Sequence, residues 1–150
     1  MSSAAKLHDV YRHYLDAVVL HGQATAQALG MHATDLYALS VLQYAGRLTS
    51  GEIAERTGLT TGAATRLIDR LESRGLVRRV VDPADRRKVV VEPADVTALE
   101  IDEVVGPARR RLGEIFAGFD AAQLDVLSAY FLQATAAYQA ATEEVRQQPR

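Results

Sequence analysis

From Asp120 onward, Leu124, Leu127, Phe131, Ala134, Tyr138, Ala141 and Val145 recur at steps of three and four, the seam of one long helix. Ile101, Val105, Ala108, Leu112, Ile115 and Phe119 repeat the pattern just before it. Between the two, Gly118 suits a helix end and Asp120 the next amino-terminal cap. A third stripe, Leu7, Val10, Tyr14, Ala17, His21, Ala24 and Ala28, lies near the amino terminus, with Tyr11, Leu15 and Val18 forming a second apolar line beside it. A helix apolar on two lines must bury both. At about 24 residues such a helix is roughly 35 Å long, too long for the short middle segment to cover. The pattern therefore predicts an entwined homodimer in which the first and last helices of two copies pack together. Leu7, Tyr14, Leu124, Leu127, Phe131 and Tyr138 are its candidate interface residues, and a monomeric bundle is the alternative.

The middle is punctuated more sharply. Thr34 can cap a helix through Leu36, Leu39, Leu42 and Ala45 that Gly46 ends. Thr49 stands three residues before Glu52, a capping box ahead of Ile53, Ala54 and Thr57, and this helix stops at Gly58. Thr60 can cap a further helix whose buried face is Ala64, Leu67, Ile68 and Leu71, with Gly75 closing it. Two short amphipathic helices joined at a glycine are a helix-turn-helix. Leu76 to Val81 and Lys88 to Glu92 then read as strands joined by Asp-Pro-Ala-Asp-Arg-Arg, with Pro83 where a type I turn favours it. A hairpin directly after a recognition helix is a wing, and its basic tip can enter a narrow minor groove while the helix occupies the major groove.

Composition narrows the function. The 150 residues are 48% hydrophobic and 24% charged, with no Cys and a formal charge of −2. Without Cys there is no disulfide framework, thiolate nucleophile or Cys-ligated metal. No run of about 18 apolar residues and no secretory pattern is present, so the expected location is cytoplasmic, with no membrane partner. The mild net charge conceals an asymmetry: ten cations stand against six anions between Arg47 and Lys88, a net of +4, which leaves −6 on the rest. A basic centre between acidic flanks suits a polyanion partner. A Gly-rich phosphate loop, an HExxH and a Gly-x-Ser-x-Gly are all absent from the sequence, so an enzyme is not expected, and no cofactor is.

The segment LTSGEIAERTGLTTGAATRLIDRLESRGLVRRVVDPADRRKVVV, Leu48 to Val91, resembles the MarR (multiple antibiotic resistance regulator) family of winged-helix transcriptional regulators, and the resemblance extends over nearly the whole chain. The family's wing motif, Asp-x-x-Asp-Arg-Arg, is met by Asp82, Asp85, Arg86 and Arg87. The resemblance implies a homodimer on pseudo-palindromic duplex operators, released in many members by a small phenolic or lipophilic effector bound between the dimerisation helices and the winged region. The expected architecture is mainly α with a small β-hairpin: one MarR-like domain over 1–150, with a helical dimerisation region at 1–33 and 95–147 and a winged helix-turn-helix region at 34–94.

Roles follow residue by residue. Thr60, Thr61 and Gly62 open the recognition helix, where free amides and hydroxyls meet phosphates. Thr65 and Arg66, one turn on, can face base edges, Arg toward guanine and Thr toward a thymine methyl. Arg70 and Arg74 either follow the phosphate backbone or pair within the helix with Asp69 or other helix charges. Gly62 and Ala63 stand where many family members carry longer polar side chains, which shifts affinity toward backbone amides and the wing. Asp82 and Asp85 are acids beside a polyanion and read as loop anchors. One of them would hold Arg86 or cap the turn, leaving Arg87 as the favoured minor-groove finger, although the residues alone leave open which Arg is anchored. Arg78 and Arg79 point to opposite faces of a strand, so at most one faces DNA. Arg47 is a further candidate for the DNA backbone.

For an effector, Tyr11, His13, Tyr14, His21, Tyr37 and Tyr44 lie on the first two helices and could line a cleft for an amphipathic aromatic acid; as single residues they read rather as ordinary core and interface positions. His8, His13, His21 and His32 lack close paired-ligand spacing, so no metal site is expected. The competing functional class is a dimeric winged-helix-derived adaptor, or a small-molecule-binding protein, that no longer binds DNA.

Overall fold

The computed structural model describes residues 3–95 and 97–148. In chain order the elements are α1 (Ser3–Ala28), α2 (Ala33–Ala45), α3 (Ser50–Thr57), α4 (Thr61–Ser73), β1 (Val77–Val81), β2 (Val89–Pro93), α5 (Thr97–Ala117) and α6 (Ala121–Gln147). The backbone divides into two compact units, Met1–Gly106 and Pro107–Arg150. The expected fold class, mainly α with one small hairpin, is the one observed.

In the first unit the core gathers Ala38, Leu39 and Leu42 from α2, Ile53 from α3, Leu67, Ile68 and Leu71 from α4, Val77 and Val91 from the hairpin and Ile101 from α5. Each fully buried Leu or Ile contributes roughly 1.5–3 kcal/mol over an exposed one. The two apolar lines of α1 separate. Tyr11 and Leu15 are half-buried and Ala26 is buried, whereas the stripe from Leu7 and Val10 through Tyr14 and His21 to Ala28 is exposed. Of the second line, Tyr11 and Leu15 find partial cover, while Val18 is exposed.

Local punctuation matches the sequence closely, with two differences. The Thr49–Glu52 capping box forms in full, Thr60 caps α4 through the Ala63 amide, and Gly58 and Gly75 adopt left-handed φ of 69°. α2 begins ahead of the point Thr34 suggests. His32 is its N-cap, with no side-chain bond, and Thr34 and Asp35 fall inside the first turn. The hairpin is also displaced: strands run Val77–Val81 and Val89–Pro93, with Val81 opposite Val89 and Arg78 opposite Glu92. The expected second strand, Lys88 to Glu92, is one residue early. The reason lies in the turn, where the Asp82 amide bonds the Lys88 carbonyl and the Lys88 amide bonds the Asp85 carbonyl, so Lys88 belongs to the loop. Leu48 bridges β2 from its other side, exchanging both backbone bonds with Val91 at 3.1 and 2.7 Å, a pairing the sequence pattern did not announce.

In the second unit, α6 starts with a capping box, the Gln123 amide on Asp120 and the Asp120 amide on Gln123, both at 2.9 Å. Along its stripe Leu124, Leu127 and Ala134 are half-buried, while Phe131, Tyr138 and Val145 are exposed. No helix among the described residues is long and apolar enough to cross a membrane.

Candidate nucleic-acid interface

α4 buries one face and shows the other. With Ala64, Leu67, Ile68 and Leu71 packed inward, Thr60, Thr61, Gly62, Thr65 and Arg66 are all exposed at its amino-terminal front. A Cβ built on Gly62 would meet nothing within 4 Å, so the glycine is not demanded by packing and leaves its backbone open to close approach. The Thr65 hydroxyl donates to the Thr61 carbonyl at 3.0 Å, which leaves its methyl as the part suited to an apolar contact. Arg66 makes no hydrogen bond or ion pair to any described residue.

The other predicted cations are engaged by the protein. Arg70 Nε and Nη2 fork onto Asp35 Oδ2 and Oδ1 at 2.9 and 2.6 Å, and Asp35 is only 4% exposed. Arg74 Nη1 and Nη2 donate to the carbonyls of Gly30 and Leu29 at 3.1 and 2.8 Å. Neither of these contacts lies within α4, so the intrahelical pairing that the sequence offered for Arg70 and Arg74 gives way to tertiary anchoring. Asp69 instead accepts Arg79 Nη2 at 2.6 Å, and Arg79 also pairs with Glu72. Arg47, expected near the DNA backbone, donates through Nε to Glu92 at 2.6 Å, while Arg78 takes the other carboxylate oxygen at 2.7 Å. Two guanidiniums hold the Glu92 carboxyl below its ordinary range. Sequence reasoning missed Asp35, Glu72 and Glu92 as partners.

The wing tip is built from its acids. Asp82 accepts the Ala84 amide at 2.8 Å and Asp85 the Arg87 amide at 3.1 Å, the loop-anchoring role expected of both. Arg87 Nε lies 3.2 Å from the same Asp85 oxygen, although the Arg87 side chain is 92% exposed. Of the two, Arg87 is the tethered arginine, and Arg86 is exposed without a hydrogen bond or ion pair to any described residue. The Arg87 amide and then its side chain hold the Asp85 carboxyl below the usual carboxylate range. At the base of α3, the Thr49 amide and hydroxyl, followed by the charges of Arg56 and Lys88, lower the Glu52 carboxyl likewise.

Of two depressions among the described residues, neither gathers the six candidate effector residues. Tyr11 is half-buried, while His13, Tyr14, His21, Tyr37 and Tyr44 are exposed, Tyr44 by 96%. Of the six, His13 lines a depression of about 240 Å³, with Asp9, Arg12 and Asp16 on the same helix. A larger one of about 530 Å³ lies at the base of the wing, between Gln43, Arg47, Arg78 and Glu92.

The geometry matches known proteins. The MarR family model matches residues 29–88, from the end of α1 to the wing tip. The chain is 36% identical over 129 residues to an uncharacterised helix-turn-helix-type transcriptional regulator, YcgE of Bacillus subtilis, covering 86% of this chain and 84% of that protein. The chain belongs to the MarR family. Within it, similarity extends to the repressor MdtR of Bacillus subtilis, 29% identical over 121 residues, 81% of this chain and 77% of MdtR. A MarR family protein from Bacillus stearothermophilus shares the fold, with a TM-score of 0.68 at 23% identity, covering 93% of this chain and 99% of that one. The protein is therefore a MarR-family helix-turn-helix transcriptional regulator, and the regulators it resembles are not enzymes.

Proposed function

We propose that this MarR-family regulator acts in the cytoplasm as a homodimer on a pseudo-palindromic duplex operator, repressing transcription until a small phenolic or lipophilic effector releases it. The observation that carries the DNA reading is the sorting of cations. In a segment of net +4, acids and carbonyls engage Arg47, Arg70, Arg74, Arg78 and Arg79, while Arg66 on the exposed front of α4 and Arg86 at the wing tip have no partner among the described residues. A free guanidinium in the major groove and another at the minor groove are what a winged helix needs.

Thr60, Thr61 and Gly62 set register on a phosphate, Thr65 and Arg66 read bases, and Arg86, assisted by Arg87, enters the minor groove. Dimerisation through the stripes of α1 and α6, Leu7 and Tyr14 on one and Leu124, Leu127, Phe131 and Tyr138 on the other, would hold two recognition helices about one DNA turn, roughly 34 Å, apart. The division of the domain into a helical dimerisation region at 1–33 and 95–147 and a winged region at 34–94 belongs to the same reading. An effector favouring another spacing shifts the population away from DNA. Repression as the output is supported by the likeness to the repressor MdtR. The test is fluorescence anisotropy against genomic fragments flanking the coding region, at two salt concentrations, with light scattering for the dimer. Salt-sensitive preference for one fragment over its scrambled control is expected. Absent or salt-insensitive binding to every duplex would instead favour the adaptor class.

A further inference from the structure

We infer that Arg70 and Arg74 are positioning residues that clamp the recognition helix to the α1–α2 connection, so that this turn sets the angle at which the helix meets DNA. The inference rests on the DNA-binding reading above and adds residues that touch no DNA. Arg70 lies in the last turn of α4 and Arg74, four residues on, is its C-cap, so their side chains leave the same side of the helix. They land on the two ends of one short connection. Arg70 engages Asp35 in the first turn of α2, and Arg74 engages the Leu29 and Gly30 carbonyls where α1 ends.

The chemistry of each contact fixes direction as well as distance. A guanidinium forked on a carboxylate through two bonds holds its plane and not merely its charge. The carbonyls at a helix end have no partner inside the helix and carry partial negative charge, so a cation bound there is doubly favoured. Their aim depends on Gly30, which turns the chain at φ +60° and lets the Met31 amide close α1 on the Ala26 carbonyl at 2.8 Å. Two anchors also prevent α4 from pivoting about either one. A displacement of the last turn of α1 is thereby passed to α4 through Arg74, and a displacement of the start of α2 through Arg70. The exposed stripe on α1 offers a handle for such displacements, since a second subunit seated there would hold the tether's far end.

The decisive variant is Asp35→Asn. It removes a negative charge from the DNA-binding unit, so a purely electrostatic role for Arg70 predicts equal or tighter DNA binding, whereas positioning predicts weaker binding. Duplexes selected by the wild-type protein from a random-sequence pool serve as probes in anisotropy titrations over a range of KCl concentrations. Asp35→Asn, Arg70→Gln and Arg74→Gln are each expected to weaken binding about tenfold, an ordinary coupling between two parts of a protein, with the slope of log affinity against log salt unchanged. The double variant Asp35→Asn with Arg70→Gln should be no worse than either single one. If Arg70→Gln and Arg74→Gln lower the slope by about 0.9 for each phosphate no longer neutralised while Asp35→Asn leaves affinity intact, the two arginines bind phosphate and the proposal is overturned.

Hydrogen exchange on the unliganded protein supplies an arm that needs no DNA. With the tether cut, the amides of the last turn of α4 and those of Leu29, Gly30 and Met31 lose protection together. Unchanged protection in both overturns the clamp even where DNA binding weakens. If wild-type protein selects no duplex, yet exchange at the two places remains coupled, the DNA reading fails and the clamp stands. Arg74→Gln alters an exposed side chain, so it carries the same test should Asp35→Asn not fold.

Discussion

Arg86→Ala isolates the wing tip, because the side chain it removes is exposed and has no partner among the described residues to strand. Surface changes of this kind shift stability by no more than about 0.5 kcal/mol, so the thermal midpoint should not move. DNA binding should. Each neutralised phosphate contributes about 0.9 to the salt slope, so a dimer in which each subunit neutralises one phosphate fewer has a slope smaller by about 1.8. Between 50 and 200 mM KCl, the wild-type advantage over the variant then shrinks about twelvefold, a change readily followed by anisotropy. Arg79→Ala is the comparator. It strands Asp69 and Glu72, partly exposed acids, and should lower stability by about 1 kcal/mol. If Arg86→Ala leaves the salt slope at its wild-type value while Arg87→Ala flattens it, the assignment of the free arginine is wrong and Arg87 enters the groove despite its bond to Asp85.

Other perturbations address separate links. Arg66→Ala should relax the preference at one base pair of each selected half-site, by about 1–3 kcal/mol of discrimination, without lowering the melting temperature; a selected-site profile unchanged at every position would remove Arg66 from direct readout. Leu127→Asp places a carboxylate on the half-buried stripe of α6 and should convert the dimer to monomer in light scattering and abolish operator binding; a dimer of full affinity would place the interface elsewhere. Glu92 titrates below its ordinary value in the folded state because of Arg47 and Arg78. Its contribution to stability is therefore complete above the ordinary carboxylate range and is lost as the pH falls through the lowered folded value. Glu92→Gln should accordingly flatten the acid limb of the melting temperature against pH, and an acid limb as steep as the wild type's would show that other carboxylates govern it.

What could be read from the sequence was whatever is decided within a few residues. Thr49 with Glu52, Thr60 with its third amide, and the glycines at 58 and 75 are local devices, and each did in the structure what its spacing implied. The buried face of α4 was legible because helical periodicity alone selects Ala64, Leu67, Ile68 and Leu71. The hairpin was legible in kind but its strand ends were one residue off, since they depend on how two aspartates fold the loop. The arginines were the least legible. Asp35 lies 35 residues from Arg70, and Glu92 lies 45 from Arg47, so nothing local marks either pair. Arg78 with Glu92 did have a usable signal, because a correct register puts them directly opposite on adjacent strands. The aromatics of α1 and α2 were visible as residue types, but no local spacing says whether they enclose a ligand.

The open front of α4 has a consequence for how this regulator can change over evolutionary time. Gly62, Thr65 and Arg66 have no tertiary partner among the described residues, and a side chain grown at position 62 meets empty space. Mutations there should be nearly free of folding cost, so lineages can drift to new operators in small steps. The tethered arginines have no such freedom, since removing Arg70 strands the buried Asp35 and removing Arg74 strands the Leu29 and Gly30 carbonyls. Paralogues descended from this chain should therefore diverge fastest at 62, 65 and 66 and slowest at 35, 70 and 92, a pattern that deep mutational scanning for abundance would reproduce without any DNA in the assay.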